Sequence, residues 1–194
     1  QGMRDGMRWL LRENQPGDIL VFHYSGHGLR IIDGRGGYEE GRLEHILLAS
    51  DLNTIRDTER HQLMSQQLVE DATLIALLDC CNSAAAFSLR YQLFCDGAVL
   101  IDGALEETQG DVIVIAGCRA DGGSIVTMNE EPQRPSGAIT MLFFQTLRHT
   151  ACLDSYHSFL RQLCRNMQSL GFGQEPQLTY GKEPLPEVFF SKKF

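Results

Sequence analysis

The stretch GDILVFHYSGHG, residues 17–28, sets the expectation for the rest of the chain. Its four consecutive apolar residues at 19–22 are too few for an ordinary helix and include β-branched and aromatic types, which predicts a buried strand. The strand is expected to stop at the polar run that follows, where two glycines leave the backbone around His27 free to turn tightly. Because ligands in open α/β sheets bind beyond the carboxyl ends of the strands, the stretch predicts an imidazole on a loop at that edge.

A second stretch, ATLIALLDCCNS at residues 72–83, repeats this arrangement. Its apolar part predicts another buried strand, which ends at Asp79 and is followed at once by Cys80 and Cys81. Cys81 lies 54 residues after His27. In caspases the histidine lies about 50 residues before the nucleophilic cysteine, although such local signatures do not transfer between families. The two stretches together predict a thiol and an imidazole at one edge of a sheet.

A thiol and an imidazole in this relation suit nucleophilic catalysis. A cysteine thiol with an ordinary pKa of about 8.5 is mostly protonated at neutral pH and needs a base to become a thiolate. His27 can supply that base and later protonate the leaving amine, while backbone N–H groups of Gly28 and Cys81 are candidates for an oxyanion hole. A cysteine is more often a small buried core residue, and we assign that place to Cys80.

Length and composition bound the class of protein. The 194 residues, of which 43% are hydrophobic and 22% charged, predict one globular domain with its own core. A net charge of −8 argues against nucleic acid or an anionic membrane as the main partner, and no apolar run is long enough to span a bilayer. The six cysteines form no C-x-x-C pair, which favours reduced thiols and a cytoplasmic location over a disulfide scaffold or zinc framework.

The spacing of apolar residues and the positions of glycine, proline and capping residues predict the remaining elements. In chain order they are a helix over 1–14, a loop over 29–42, a short strand at 46–49, a helix from about 59 to 70, strands at 72–79 and 112–116, a loop over 117–135 and helices over 137–148 and 155–170. Residues 84–110 predict an irregular loop region, and the tail residues 176–180 and 188–190 predict short edge strands. Asp154 is the expected cap of the last helix. Consecutive parallel strands are expected to be joined by right-handed crossovers.

The two motifs HYSGHG (23–28) and DCCNS (79–83) resemble those of type I metacaspases, in the caspase-like clan of cysteine peptidases. The flanking segments agree, so the likeness covers essentially the whole chain; they are GMRWL at 6–10, AGCRADGGS at 116–124, SGAIT at 136–140 and EPQLTYG at 175–181. Paracaspases are a nearby alternative. The resemblance implies an α/β fold, a caspase-like three-layer α/β/α sandwich around a mostly parallel sheet.

The resemblance also implies a domain organisation. Residues 1–194 would form a single catalytic domain that lacks the family's N-terminal strand, with a p20-like part at 1–90 and a p10-like part at 111–194. The chain begins with Gln1, inside a predicted helix, so we expect it to be a fragment or a shortened member. We expect a monomer.

The resemblance assigns roles to individual residues. It implies a cysteine endopeptidase that cleaves protein or peptide substrates after Arg or Lys, with His27 and Cys81 as the catalytic pair and a thioester intermediate. Ser25 and Asp79 would line the pocket for the basic side chain, because a carboxylate favours a cation with matching hydrogen bonds. A strand-end aspartate that merely orders its own loop is the alternative for Asp79. Self-processing is expected in the loop 84–110, with Arg90 as a basic candidate.

Several residues depart from the family pattern. Asn82 and Ala84 stand where the family usually has histidine and glycine. Metacaspases often need calcium, which prefers several hard oxygen ligands. Here only Asp57 and Glu59 remain as candidates for that site, because Thr58 replaces one of two paired aspartates. We therefore expect a depleted calcium site and no certain cofactor.

Two other functions stay open. The departures at the calcium segment and at Asn82, with the missing N-terminal part, fit a catalytically inactive homologue that acts as a regulatory or scaffold protein. A zinc hydrolase using His23 and His27 is more remote, because the four-residue spacing falls on a predicted strand and loop instead of a helix.

Overall fold

The computed structural model describes residues 1–32, 43–80, 87–117, 126–128, 135–149 and 155–186. The helices are α1 (Gly2–Leu11), α2 (Asp57–Arg60), α3 (Ala138–His149) and α4 (Tyr156–Ser169), and α2 continues as a π-helical turn over His61–Ser65. The strands are β1 (Ile19–Ser25), β2 (His27–Ile32), β3 (Leu43–Leu48), β4 (Thr54–Arg56), β5 (Thr73–Asp79), β6 (Tyr91–Leu93), β7 (Val99–Ile101), β8 (Asp111–Ala116), β9 (Val126–Met128), β10 (Pro135–Gly137) and β11 (Gln177–Tyr180).

The central sheet has six strands in the order β1-β5-β8-β11-β6-β7. β1, β5 and β8 pair in parallel, whereas β11 pairs antiparallel with both β8 and β6, and β7 pairs antiparallel with β6. Four of these six strands therefore run in the same direction. The predicted strands at 19–22, 72–79 and 112–116 are all present. β5 and β8 are buried on both faces, as their continuous apolar runs predict. The expected burial of β1 was wrong, because β1 is an edge strand of the described sheet and exposes Ile19 and Val21.

Alternation along the strands divides the core into two layers. Leu74, Ala76 and Leu78 pack on the face that α1 and the α2 region cover. Leu77 of the same strand joins the opposite cluster, beneath α3 and α4. Since successive strand residues point to opposite faces, one apolar run supplies both cores. The three-layer α/β/α prediction is confirmed.

Two smaller sheets flank the main one. β2, β3 and β4 form an antiparallel sheet in that order, with His27 opposite Leu48. β9 and β10 pair antiparallel, with Gly137 opposite Val126, and β10 runs directly into α3. The first small sheet thus follows β1 in the chain, and the second directly precedes α3.

Several predicted boundaries were wrong. β1 continues to Ser25 and β2 starts at His27, so the run HYSGHG is two strands joined at Gly26 instead of a loop. The predicted helix over 59–70 is shorter, because it starts at Asp57 and ends with the π-helical turn. The last helix is capped by Ser155, whose side chain accepts the N–H of Ser158. The expected cap, Asp154, lies outside the described residues.

The loop region and the tail also differ from expectation. Residues 84–110 contain the paired strands β6 and β7, a small hairpin that the sparse apolar pattern did not indicate. The tail strand β11 lies inside the sheet, between β8 and β6, with all four residues buried. Its four residues are too few to show by pattern whether they form an edge or an interior strand. The tail segment 188–190 lies outside the described residues.

Cysteine pairing corrects the expectation of reduced thiols. Cys95 and Cys164 form a disulfide, with Cα atoms 6.2 Å apart, that ties the β6–β7 hairpin to α4. The partners are 69 residues apart, so their spacing in the chain carried no signal of the pairing. Cys80 forms no disulfide and has no exposed surface, as its assignment to the core predicted. In the described part of the chain, none of the helices is long and apolar enough to cross a bilayer.

Candidate active site

The predicted site residues gather where β1 and β5 leave the sheet. The two strands are parallel neighbours, and Ser25 lies directly opposite Asp79 in their register. His27 follows Ser25 by two residues and has an exposed side chain at the start of β2. Cys81 follows Asp79 by the same interval but lies outside the described residues. The structure thus brings Ser25 and Asp79 together and places His27 at the same exit.

Tyr24 holds the backbone that carries His27. Its hydroxyl lies 2.9 Å from the carbonyl oxygen of His27 and 2.8 Å from that of Leu48, so it can donate to either. Burial raises the pKa of the Tyr24 phenol, which keeps it a donor at neutral pH. A Cβ on Gly26 would lie 2.6 Å from this hydroxyl oxygen, so the turn requires glycine. Gly26 therefore allows the Tyr24 hydroxyl to lie close to the backbone. The hydroxyl in turn holds the main chain of His27 in place.

Gly28, the second glycine beside His27, is buried in β2. It pairs with Leu47 of β3 in the small antiparallel sheet. Its predicted oxyanion partner, Cys81, lies outside the described residues. The oxyanion-hole assignment therefore stays a prediction.

Asp79 is bound by the start of α3. Its Oδ2 atom accepts a hydrogen bond from the Thr140 N–H at 3.0 Å and another from the Thr140 hydroxyl at 2.5 Å. Only 4% of Asp79 is exposed, and the positive end of a helix dipole favours an anion at this position. His23 Nε2 lies 3.2 Å from the same Thr140 hydroxyl oxygen. These contacts give Asp79 hydrogen-bond partners in the p10-like part of the chain.

Sequence reasoning missed Thr140 and its neighbour Gly137. A Cβ built on Gly137 would come within 1.8 Å of Asp79 Oδ2, so the carboxylate occupies the space that any side chain there would need. Both residues fall within the SGAIT segment that resembles metacaspases, but nothing local in that segment indicates a contact with a residue 61 positions earlier. Only the adjacency of β5 and α3 reveals it.

The two candidates for a calcium site are already engaged. Glu59 accepts hydrogen bonds from the Arg4 guanidinium at 2.5 and 2.8 Å, and this pairing lowers the pKa of Glu59. Asp57 is buried and accepts from the Thr58 N–H at 2.8 Å and the Ser88 hydroxyl at 3.4 Å. Calcium takes six to eight oxygen ligands. In the part of the chain that the structure describes, Arg4 thus already binds one of the two candidate carboxylates.

A buried arginine lies in the same region. Arg60 has no exposed surface and donates to the carbonyl oxygens of Ile55 at 2.5 Å and His45 at 2.8 Å. Desolvation lowers the pKa of Arg60 to about 10, while the neighbouring Asp57 carboxylate acts in the opposite direction.

Among the residues that the structure describes, no group of three or more His, Cys, Asp or Glu could hold a metal ion. His23 contacts Thr140, which does not support its use as a zinc ligand with His27.

A cleft runs beside His27. This cleft has a volume of about 730 Å³. A separate groove between α3 and α4 is smaller, at about 410 Å³. One wall of the larger cleft is Tyr24 to His27, the other is residues 48–52, and the first residues of α1 lie at its end. The larger cleft thus adjoins His27, the predicted base.

Comparison with known proteins finds one family. The model of the metacaspase, peptidase C14 domain matches residues 1–90. Metacaspase-2 of Trypanosoma brucei brucei is 30% identical over 192 residues, which cover 91% of this chain and 54% of that protein. Inactive metacaspase-4 of the same organism is 28% identical over 192 residues, with the same coverage. The chain thus spans about half the length of the curated relatives that it matches.

The fold has a counterpart among solved structures. The crystal structure of a protein from Geobacter sulfurreducens matches with a TM-score of 0.66 at 17% identity, covering 94% of this chain and 73% of that chain. At this identity the match bears on the fold alone, and it agrees with the expected caspase-like α/β sandwich. The matched domain model and the metacaspase relatives that extend over nine-tenths of the sequence lead to one conclusion: the chain belongs to the metacaspase, peptidase C14 family.

Proposed function

We propose that this chain is a cysteine endopeptidase that cleaves protein substrates after Arg or Lys, with Cys81 as nucleophile and His27 as base. The observation that carries the proposal is the register of β1 and β5, in which Ser25 lies opposite Asp79. Because both strands are parallel, the residues that follow them leave the sheet at one edge. Membership of a cysteine peptidase family supplies the reaction class.

The proposed reaction proceeds in two steps. His27 takes the thiol proton of Cys81, and the thiolate sulfur bonds to the substrate carbonyl carbon as that oxygen becomes an oxyanion. The peptide C–N bond then breaks, and the proton passes from His27 to the leaving amine. Water attacks the resulting thioester with His27 again as base, which releases the new carboxyl terminus and the thiol. The anchored backbone of His27 favours the fixed geometry that these proton transfers need.

Asp79 supplies the proposed specificity. A carboxylate at the strand exit attracts a guanidinium or ammonium group through charge-assisted hydrogen bonds. Self-cleavage after Arg90 is disfavoured in the folded chain, because the Arg90 carbonyl accepts the Asp102 N–H at 2.8 Å immediately before β6. This hydrogen bond would have to break before the peptide bond after Arg90 could enter an active site.

A fluorogenic peptide with Arg before the reporter group tests the proposal. We expect turnover by the wild-type chain, none by Cys81→Ala, and turnover by the folded Cys80→Ala variant, since Cys80 is a buried core thiol. Replacing the Arg of the peptide by Ala should abolish the signal. Equal rates for wild type and Cys81→Ala would overturn the proposal.

We further propose that the activity does not require calcium, because Arg4 and the Ser88 hydroxyl already engage the candidate carboxylates. Assays in millimolar calcium and in a chelator should give rates within about twofold of each other. A rate that falls to background in the chelator and returns with calcium would contradict this.

A catalytically silent role is the second candidate. It is favoured by the similarity to a relative named inactive metacaspase-4, whose coverage of this chain equals that of metacaspase-2. An iodoacetamide-type probe under native conditions separates the two functions. Rapid labelling of Cys81 that disappears in His27→Ala supports the peptidase, whereas a thiol labelled no faster than a model cysteine supports the silent role.

A further inference from the structure

We propose that Thr140 is a positioning residue for specificity: held between His23 and Asp79, it fixes the Asp79 carboxylate in the orientation that receives a basic substrate side chain. The inference rests on the proposed function in taking Asp79 as the group that recognises Arg or Lys. It assigns a role to a residue 61 positions from Asp79 and in the other half of the chain.

The first support is the convergence of two donors on one oxygen. The Thr140 N–H and hydroxyl both reach Oδ2 of Asp79, at 3.0 and 2.5 Å. Two bonds to one oxygen fix the rotation of the carboxyl group, and with it the direction of Oδ1. Asp79 is nearly buried, and a buried carboxylate needs such donors. Both donors are neutral, so they orient the carboxylate without forming an ion pair with it.

The second support is the space reserved at Gly137. A Cβ at this position would lie 1.8 Å from Oδ2 and 2.0 Å from Cγ of Asp79. The carboxylate therefore fills the place of the missing side chain, three residues before Thr140. Donors on one side and close backbone on the other leave Asp79 a single orientation.

The third support is the contact from His23. A threonine hydroxyl has one proton, and the short bond to Asp79 uses it. The hydroxyl oxygen is then left as the acceptor toward His23 Nε2, 3.2 Å away, which requires the tautomer with its proton on Nε2. The hydrogen bonds run in one direction, from His23 to Thr140 to Asp79, and each strengthens the next. His23, the first residue of HYSGHG, thus acts on the Asp79 carboxylate through Thr140.

Steady-state kinetics with a matched control test the proposal. We expect Thr140→Val to raise KM for an Arg peptide about tenfold, with kcat changed less than about twofold, and Thr140→Ser to restore the wild-type KM. Thr146→Val is the control: Thr146 is buried on the same helix, and its hydroxyl accepts from Asn166 at 2.9 Å, away from Asp79. It should lower the melting temperature without changing KM. His23→Phe alters an exposed position and should raise KM about threefold, so it keeps the test valid if Thr140→Val does not fold.

A binding measurement separates this inference from the peptidase proposal. In a Cys81→Ala background, calorimetry compares a peptide that ends in arginine amide with its norleucine twin. We expect a preference for arginine that Thr140→Val reduces about tenfold and Thr146→Val leaves unchanged. If this pattern appears but the wild type shows no turnover, the peptidase proposal fails and the positioning role stands. If turnover is normal but Thr140→Val and His23→Phe change neither KM nor binding, or if no preference for arginine exists, the positioning role is overturned.

Discussion

Carboxylates in two regions of this chain are held in opposite ways. At the exit of β5, Asp79 accepts hydrogen bonds from the neutral N–H and hydroxyl of Thr140. On α2, Glu59 is bound by the Arg4 guanidinium, and Asp57 lies close to the buried Arg60. A carboxylate among neutral donors keeps its charge for a cationic ligand, whereas one paired with arginine has little left to attract another cation. From this comparison we expect the first of these two regions, and not the second, to bind a basic side chain.

The largest expected effect comes from removing the charge in the first region. Asp79→Asn should lower kcat/KM for an Arg peptide about 1000-fold, or about 4 kcal/mol, because an amide keeps an acceptor for Thr140 but loses the attraction for a guanidinium. Peptide hydrolysis measures this. Glu59→Gln is the matched control in the second region and should leave the Arg preference unchanged. Similar losses in both variants would erase the distinction between the two regions.

The second region should matter for stability. Arg60→Met should lower the free energy of unfolding by about 3 kcal/mol, because it leaves the carbonyls of Ile55 and His45 without this buried donor. Urea unfolding measures the change. Arg8→Met, at an exposed arginine paired with Asp5 on α1, should cost less than about 0.5 kcal/mol. A loss below about 1 kcal/mol for Arg60→Met would contradict a structural role for this cation.

The smallest expected effect depends on pH. Arg4 lowers the pKa of Glu59, so the pair stabilises the fold above the usual glutamate pKa of about 4.3 and loses that contribution as the pH falls through the lowered value. Arg4→Gln should cost about 0.5–1 kcal/mol at pH 7 and close to nothing at pH 3. Melting curves at both pH values measure this, with Arg12→Gln, at an exposed arginine beside Glu13, as the control. A cost that is equal at both pH values would show that Glu59 is not the partner that matters.

Much of the sheet follows from local sequence. The strands β5 and β8 are continuous apolar runs, and parallel strands buried on both faces must have that composition. The apolar run of β1 predicted a strand but not its place at the edge of the sheet, where Ile19 and Val21 are exposed. The switch from β1 to β2 did not follow, because His23, Tyr24 and Ser25 are polar yet pair with β5 up to Asp79. Their strand conformation comes from the neighbouring strand, which pattern reasoning along one segment does not include.

The candidate site divides in the same way. The placement of Ser25, His27 and Asp79 at one edge of the sheet could be predicted, because they follow apolar runs that form neighbouring strands. Their roles came from the resemblance to metacaspases and stay predictions. Thr140 could not, since its contact with Asp79 depends on how α3 packs against β5. The Arg4–Glu59 pair and the Cys95–Cys164 disulfide join residues 55 and 69 positions apart, and no spacing rule connects them.

Affinity labelling tests the central claim most directly. A peptidyl chloromethyl ketone with Arg at the reactive position should alkylate Cys81 alone, as read by mass spectrometry of the digested protein. Its norleucine analogue should react at least about 100-fold more slowly, and Asp79→Asn should remove the difference between the two reagents. Alkylation elsewhere in the chain, or equal rates for the two reagents in the wild type, would contradict a thiol nucleophile at Cys81 served by an acidic pocket at Asp79.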